Sequence, residues 1–143
     1  MANRVHVKWK EYDYKIQIGP GNTWLYRPLL EIEISSRTSQ KRRSVLAMID
    51  SGTDSSVFHA DIARDLQIDL TRCPRVRLGG IGSLDGYLSN VQLLVPDMKI
   101  AMDIPVMFAE NLPLQGLLGQ KHFFQRFKVR FERDINKFYF SAV

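Results

Sequence analysis

The chain has 143 residues, of which 45% are hydrophobic and 24% charged, with 9 Gly and 6 Pro. These proportions exclude disordered and fibrous classes and fit one domain, residues 1–143, able to bury a proper core. A formal net charge of +5 invites a nucleic-acid reading, but the basic residues are scattered, and the one dense cluster, Arg37 to Arg43, reads as a solvated loop.

Residues Met1 to Lys8 are polar and charged with no apolar run, so no secretory signal is expected. The charge-free run Gly86 to Pro96 contains Ser89, Asn90 and Gln92 and cannot span a bilayer. Cys73 is the single cysteine, which leaves no internal disulfide and fits a reducing compartment. His6, His59 and His122 are far apart, and Cys73 has no second thiolate near it, so no metal or cofactor is expected. A cytoplasmic protein with no membrane and no nucleic-acid partner is the expectation.

In chain order, Val5–Trp9 and Tyr14–Ile18 alternate apolar with polar, as strands with one wet face do. Gly19–Asn22 is a turn. Leu30–Ile34 alternates cleanly, Ser44–Ile49 is a buried return strand, and the polar segment Ser35–Arg43 joins them. A short helix is predicted near Ala60–Leu66. Arg75–Leu78 and Tyr87–Val95 read as strands joined by the glycine-rich Gly79–Gly86, a mobile hairpin. The spacing Gly80-x-Gly82-x-x-Asp85-Gly86 misses the dinucleotide fingerprint by one residue, and a strand follows where a helix would have to open. Pro96–Met98 turns the chain. Lys99–Ile104 and Pro105–Phe108 are strand-like, with Pro105 forcing a bulge or an edge position. Gly116–Gly119 is apolar and ends in glycine; Gln120–Arg126 is predicted as a short helix turning Phe123, Phe124 and Phe127 inward. Lys128–Glu132 and Lys137–Phe140 form a closing hairpin around Asp134–Asn136. The sum is a mostly-β barrel or sandwich with two short helices.

The chain is organised around Val45-Leu46-Ala47-Met48-Ile49-Asp50-Ser51-Gly52-Thr53, five apolar residues that deliver a carboxylate into a tight turn. An ionised carboxylate at the end of a buried strand is costly unless donors surround it, and Ser51, Thr53 and the turn's N–H groups are the candidates. The plain structural reading of Asp50 is an aspartate that ends a strand and starts a turn.

Three landmarks occur together. Asp50-Ser51-Gly52-Thr53 resembles the D-[ST]-G-[STA] signature of aspartic proteases. Gly79–Gly86 sits where that superfamily has a flap hairpin. Leu117-Leu118-Gly119, followed by Phe123-Phe124 and Phe127-Lys128-Val129, is similar to the segment that closes the retropepsin barrel. The resemblance is to retropepsin-like, single-domain aspartic proteases and covers roughly residues 25–143, leaving 1–24 as an N-terminal extension. It implies a closed β-barrel with a flap hairpin and one or two short helices, and aspartic endopeptidase activity. Asp50 would be catalytic. Ser51 would hydrogen-bond across a dimer beneath the site, Gly52 would donate its N–H to the partner aspartate, and Thr53 would support the outer carboxylate oxygen. Gly80, Ile81 and Gly82 would cover an extended peptide substrate.

Peptide hydrolysis of this kind needs two carboxylates about one water, sharing one proton because like charges at close range do not both ionise. The sequence has one such turn, so the resemblance implies a C2 homodimer that pairs Asp50 with its copy. The alternative is a non-proteolytic retropepsin-fold module for dimerisation or peptide binding. A fourth and weaker reading, serine hydrolysis through Ser51, lacks the G-x-S-x-G elbow. Two departures stand out. Gln120 and Lys121 follow Gly119 where the family often has an arginine that ties the dimer together. The extension could be an extra strand pair, an exchanged arm or a cover for the cleft.

Overall fold

The computed structural model describes residues 8–78 and 84–143. Its architecture is mostly β. The strands are β1 (Lys10–Asp13), β2 (Lys15–Ile18), β3 (Trp24–Arg27), β4 (Leu29–Ser35), β5 (Arg42–Ile49), β6 (Val57–His59), β7 (Arg75–Leu78), β8 (Leu84–Val95), β9 (Ile100–Ala109), β10 (Gly116–Leu118), β11 (Phe127–Glu132) and β12 (Lys137–Ala142), with one α-helix, α1 (Ala60–Asp65).

The main sheet has the order β4-β5-β10-β6-β9-β8-β7, and β8 pairs also with β4 through Glu33↔Leu94 and Ile34↔Leu93, so six strands form a ring of pairings. β4 explains its own place: Ile32 and Ile34 are buried while Glu31 is exposed, the period-2 pattern of a one-sided strand. β5 differs from the expected fully buried strand. Val45, Ala47 and Ile49 face the core, but Leu46 is 37% exposed and Met48 is half-buried, because only one face of the sheet is covered here.

Pro105 sits as predicted at a local edge. β9 pairs with β8 at that level, Pro105 opposite Asn90, while β6 joins only from Met107 onward. Helix α1 forms where predicted, its first turn capped by His59, whose Nδ1 accepts the Asp61 N–H at 3.1 Å.

A second, three-stranded sheet has the order β1-β12-β11. Its inner face carries Phe127, Phe138 and Phe140, which pack with Phe123 at ring separations of 4.9–5.9 Å. β1 was not anticipated: three of its four residues are charged, and Tyr12 stacked on Phe138 at 5.3 Å is what fastens it. The predicted strand Val5–Trp9 lies largely outside the described residues, as does the Gly79–Ser83 part of the glycine-rich hairpin. Among the described residues, β2 and β3 pair only with each other.

The helix expected over Gln120–Arg126 reduces to one distorted turn. Lys121 is extended, with φ −70° and ψ 135°, and His122 has φ 69°, both incompatible with a continuing helix. The start of the segment is tied to the Asp50 loop: Gln120 N–H donates to Thr53 O at 2.9 Å and Lys121 N–H to Asp54 O at 2.8 Å.

Candidate active site

The Asp50 turn is built from the outside inward. β10 lies parallel to β5, with Leu118 opposite Ile49, and antiparallel to β6, with Leu117 opposite Val57. These two short alignments hold the entrance and exit of the loop 50–56 beside each other. Asp50 N–H continues the ladder by donating to Leu118 O at 3.0 Å. Gly119 then passes so close under the loop that a Cβ would lie 2.7 Å from the carbonyl oxygens of both Thr53 and Ser55. Only glycine admits that approach. Its N–H donates to the buried Ser56 Oγ at 3.2 Å.

Asp50 itself is half-buried, and its Oδ1 accepts the Gly52 N–H at 2.9 Å. The turn closes with Thr53 N–H directed to Asp50 O at 3.4 Å. Of the donors expected for this carboxylate, the backbone of Gly52 is the one that serves it within the chain. The Thr53 hydroxyl donates to Ser55 O at 3.2 Å, and the exposed Ser51 hydroxyl has no hydrogen bond to a described residue. Gly52 is held tightly as well: a Cβ there would meet Asp50 Oδ1 at 3.2 Å. Among the described residues no cation forms an ion pair with Asp50. The carboxylate is thus oriented by backbone, half-buried, and borders exposed Ser51 and Gly52. Such a group can accept a hydrogen bond from water or share a proton with a second acid.

Gln120 is a site residue that the sequence marks only as a departure. Its Nε2 donates to Ser51 O at 2.8 Å, so the side chain clasps the turn from outside. Ser56, which receives Gly119, carried no sequence signal at all. Beside the loop an apolar hollow is lined by Val76, Leu88, Val106 and Met107, with Ser55, Lys121 and His122 at its polar side. Gly80, Ile81 and Gly82, expected above the site, fall outside the described residues, between β7 and β8. No grouping of His, Cys, Asp and Glu suited to a metal occurs among the described residues.

The fold has counterparts among solved structures. A retropepsin-like aspartic protease from Rickettsia conorii matches over 94% of this chain and 96% of its own, at 17% identity and a TM-score of 0.56. The EIAV protease, solved with the inhibitor HBY-793, matches over 69% of this chain and 86% of its own, at 17% identity and a TM-score of 0.53. The fold is that of the retropepsin-like aspartic proteases. The retroviral protease-like domain of Ddi1 from Leishmania major shares it over 70% of this chain and 79% of that domain, at 16% identity and a TM-score of 0.50. No family model matches the sequence, and a search of curated protein sequences finds no match. The retropepsin-like fold therefore rests on three-dimensional likeness. Among the described residues no helix is long and apolar enough to cross a membrane.

Proposed function

We propose that the chain is an aspartic endopeptidase, active as a C2 homodimer in which the Asp50 carboxylates of two copies hold one water between them. The observation that carries this reading is the Asp50 turn. A half-buried carboxylate stands at a strand end, oriented by the Gly52 N–H and without an ion-pair partner among the described residues. The likeness of the fold to retropepsin-like aspartic proteases supports this reading.

In this mechanism one Asp50 takes a proton from the water as its oxygen attacks the peptide carbonyl carbon, while the other donates a proton to the carbonyl oxygen. Collapse of the tetrahedral adduct breaks the C–N bond: the protonated Asp50 gives its proton to the amine nitrogen, while the other Asp50 takes the proton from one of the adduct's hydroxyls as the carboxylic acid forms. The two carboxylates thereby exchange roles and share one proton throughout. Ser51, whose exposed hydroxyl has no hydrogen bond to a described residue, is assigned a hydrogen bond across the dimer. Gly52 holds the carboxylate in line, and Thr53 keeps the turn closed through Ser55 O. Gly80, Ile81 and Gly82 are assigned to the substrate's extended main chain. The apolar hollow by Val76 and Met107 is suited to a hydrophobic substrate side chain. The proposal treats residues 1–143 as one domain, its six-stranded ring as a closed barrel and its working place as the cytoplasm.

Asp50→Asn tests the reading. It keeps size and shape but cannot serve as acid and base, so cleavage of an unstructured protein substrate should fall at least a thousandfold while circular dichroism and oligomeric state stay unchanged. Equal turnover by the purified variant would eliminate the protease. A variant that is still dimeric, and a wild type without turnover on any denatured substrate, would favour the non-proteolytic module.

A further inference from the structure

The β2–β3 hairpin wears its polarity inside out. Gln17, Leu25 and Arg27 are half-buried on the face toward the body. Arg27 Nη1 donates to Met48 Sδ at 3.5 Å, and Gln17 lines a shallow hollow with Arg43, His59 and Gln115. The opposite face carries Ile16, Ile18, Trp24 and Tyr26, which stand as the cross-strand pairs Ile16↔Tyr26 and Ile18↔Trp24. Their exposures are 49%, 68%, 70% and 43%. The Arg133 guanidinium lies over the Tyr26 ring at 5.7 Å, at one margin of the patch. The other exposed large apolar side chains among the described residues, such as Leu46, Leu88 and Phe131, lie outside this hairpin. A lone two-stranded hairpin is marginal in water, and leaving its apolar face open while packing its polar one wastes the contribution that could hold it. Contiguous apolar patches of several hundred Å² mark interaction sites.

We infer that this face docks on the same face of a second copy of the chain, and that the pairing sets the two Asp50 turns side by side. The inference rests on the shared-site reading above and names the surface that assembles it. Three observations select a second copy. First, the hairpin is rooted at the site: Pro28 O, immediately after β3, accepts the Ile49 N–H at 3.0 Å, one residue from Asp50. Second, the C-terminal strand β12 is paired on both edges within its own chain, by β1 and by β11, and so offers a partner no open edge. Third, an isologous contact sets a patch against itself. Two chains of net charge +5 repel, and they meet at least cost where both surfaces are uncharged. A stable interface takes ~800 Å² per partner. The exposed Ser51–Gly52 end of the turn is the neighbouring surface that would complete it.

Sedimentation equilibrium on the full chain tests this, with wild type, an Ile18→Glu/Trp24→Glu double variant and Trp24→Phe. The wild type should dimerise. The double variant should raise the dissociation constant at least tenfold with an unchanged circular dichroism spectrum. Trp24→Phe should remain dimeric but lose the blue shift of tryptophan emission that accompanies assembly. A double variant that dimerises as tightly as wild type overturns the docking face and leaves the shared Asp50 site standing. A double variant that is monomeric yet fully active on peptide overturns the shared site itself, and this inference with it.

Discussion

Gln120 supplies what the four-residue motif lacks, a side chain that grips the turn from outside. Its amide donates to Ser51 O at 2.8 Å, while its own N–H goes to Thr53 O, so one residue fixes the turn at two points. Gln120→Ala should lower kcat about tenfold, near 1.4 kcal/mol in the barrier, with KM and the thermal midpoint little changed. Gln120→Glu, which removes the donor and adds charge beside Asp50, should be worse. Steady-state kinetics beside a melting curve checks both. An equal loss of stability and activity would reduce Gln120 to a packing residue. Asp50 was legible in the sequence because its motif is local, four letters after an apolar run. Gln120 was legible only as a departure, since its partner lies 69 residues earlier, and no spacing rule reaches that far.

At the scale of elements, the alternation of β4 and the proline break in β9 could be read directly, because side-chain direction and a missing N–H are properties of the strand itself. β1 could not. Lys10, Glu11 and Asp13 are poor strand formers, and the segment is extended only because β12 offers it an edge and Phe138 a ring to stack on. The helix expected at 120–126 fails for the same kind of reason: its first two residues are tied to carbonyls of the Asp50 loop, and beside them Lys121 and His122 leave helical dihedrals. β1 carries one unresolved cost. The Tyr12 hydroxyl is buried without a hydrogen-bond partner among the described residues. Burial, and after it Asp97, pushes that phenol from 10.0 up to about 12. Between these values the unfolded chain ionises Tyr12 and the folded chain does not. Its contribution is therefore intact below pH 10 and falls as pH rises toward 12. Tyr12→Phe keeps the stacking and removes the unpaired hydroxyl. It should raise stability by about 1 kcal/mol at neutral pH and flatten this alkaline decline in urea melts at pH 9 and 11. A loss of stability at both pH values would show that the hydroxyl has a partner after all.

At the scale of the whole molecule, charge and assembly oppose each other. A homodimer concentrates a formal +10 from two chains of +5 each. The Debye length shrinks from about 30 Å at 0.01 M salt to about 8 Å at 0.15 M, so long-range repulsion between copies is screened over that range. If an apolar contact holds the pair, dimerisation and specific activity at fixed low protein concentration should both rise with salt. Sedimentation at the two ionic strengths checks it. A dimer that weakens with salt would instead require ion pairs at its centre.

β10 is only three residues long, yet it separates β5 from β6 and leads straight into Gly119 and Gln120. Among the described residues most struts of the Asp50 loop come from this one late segment, through Leu118 O, Gly119, Gln120 and Lys121, with the Met107 N–H to Ser56 O the one added by β9. A peptide spanning Val45–Ser56 would thus carry the whole signature and none of its scaffold. The site is local as text and non-local as an object, so it can exist only after the chain has closed a long loop between β6 and β10. That closure must overcome a large chain entropy before any active geometry appears, and the newly made chain is chemically idle until it does.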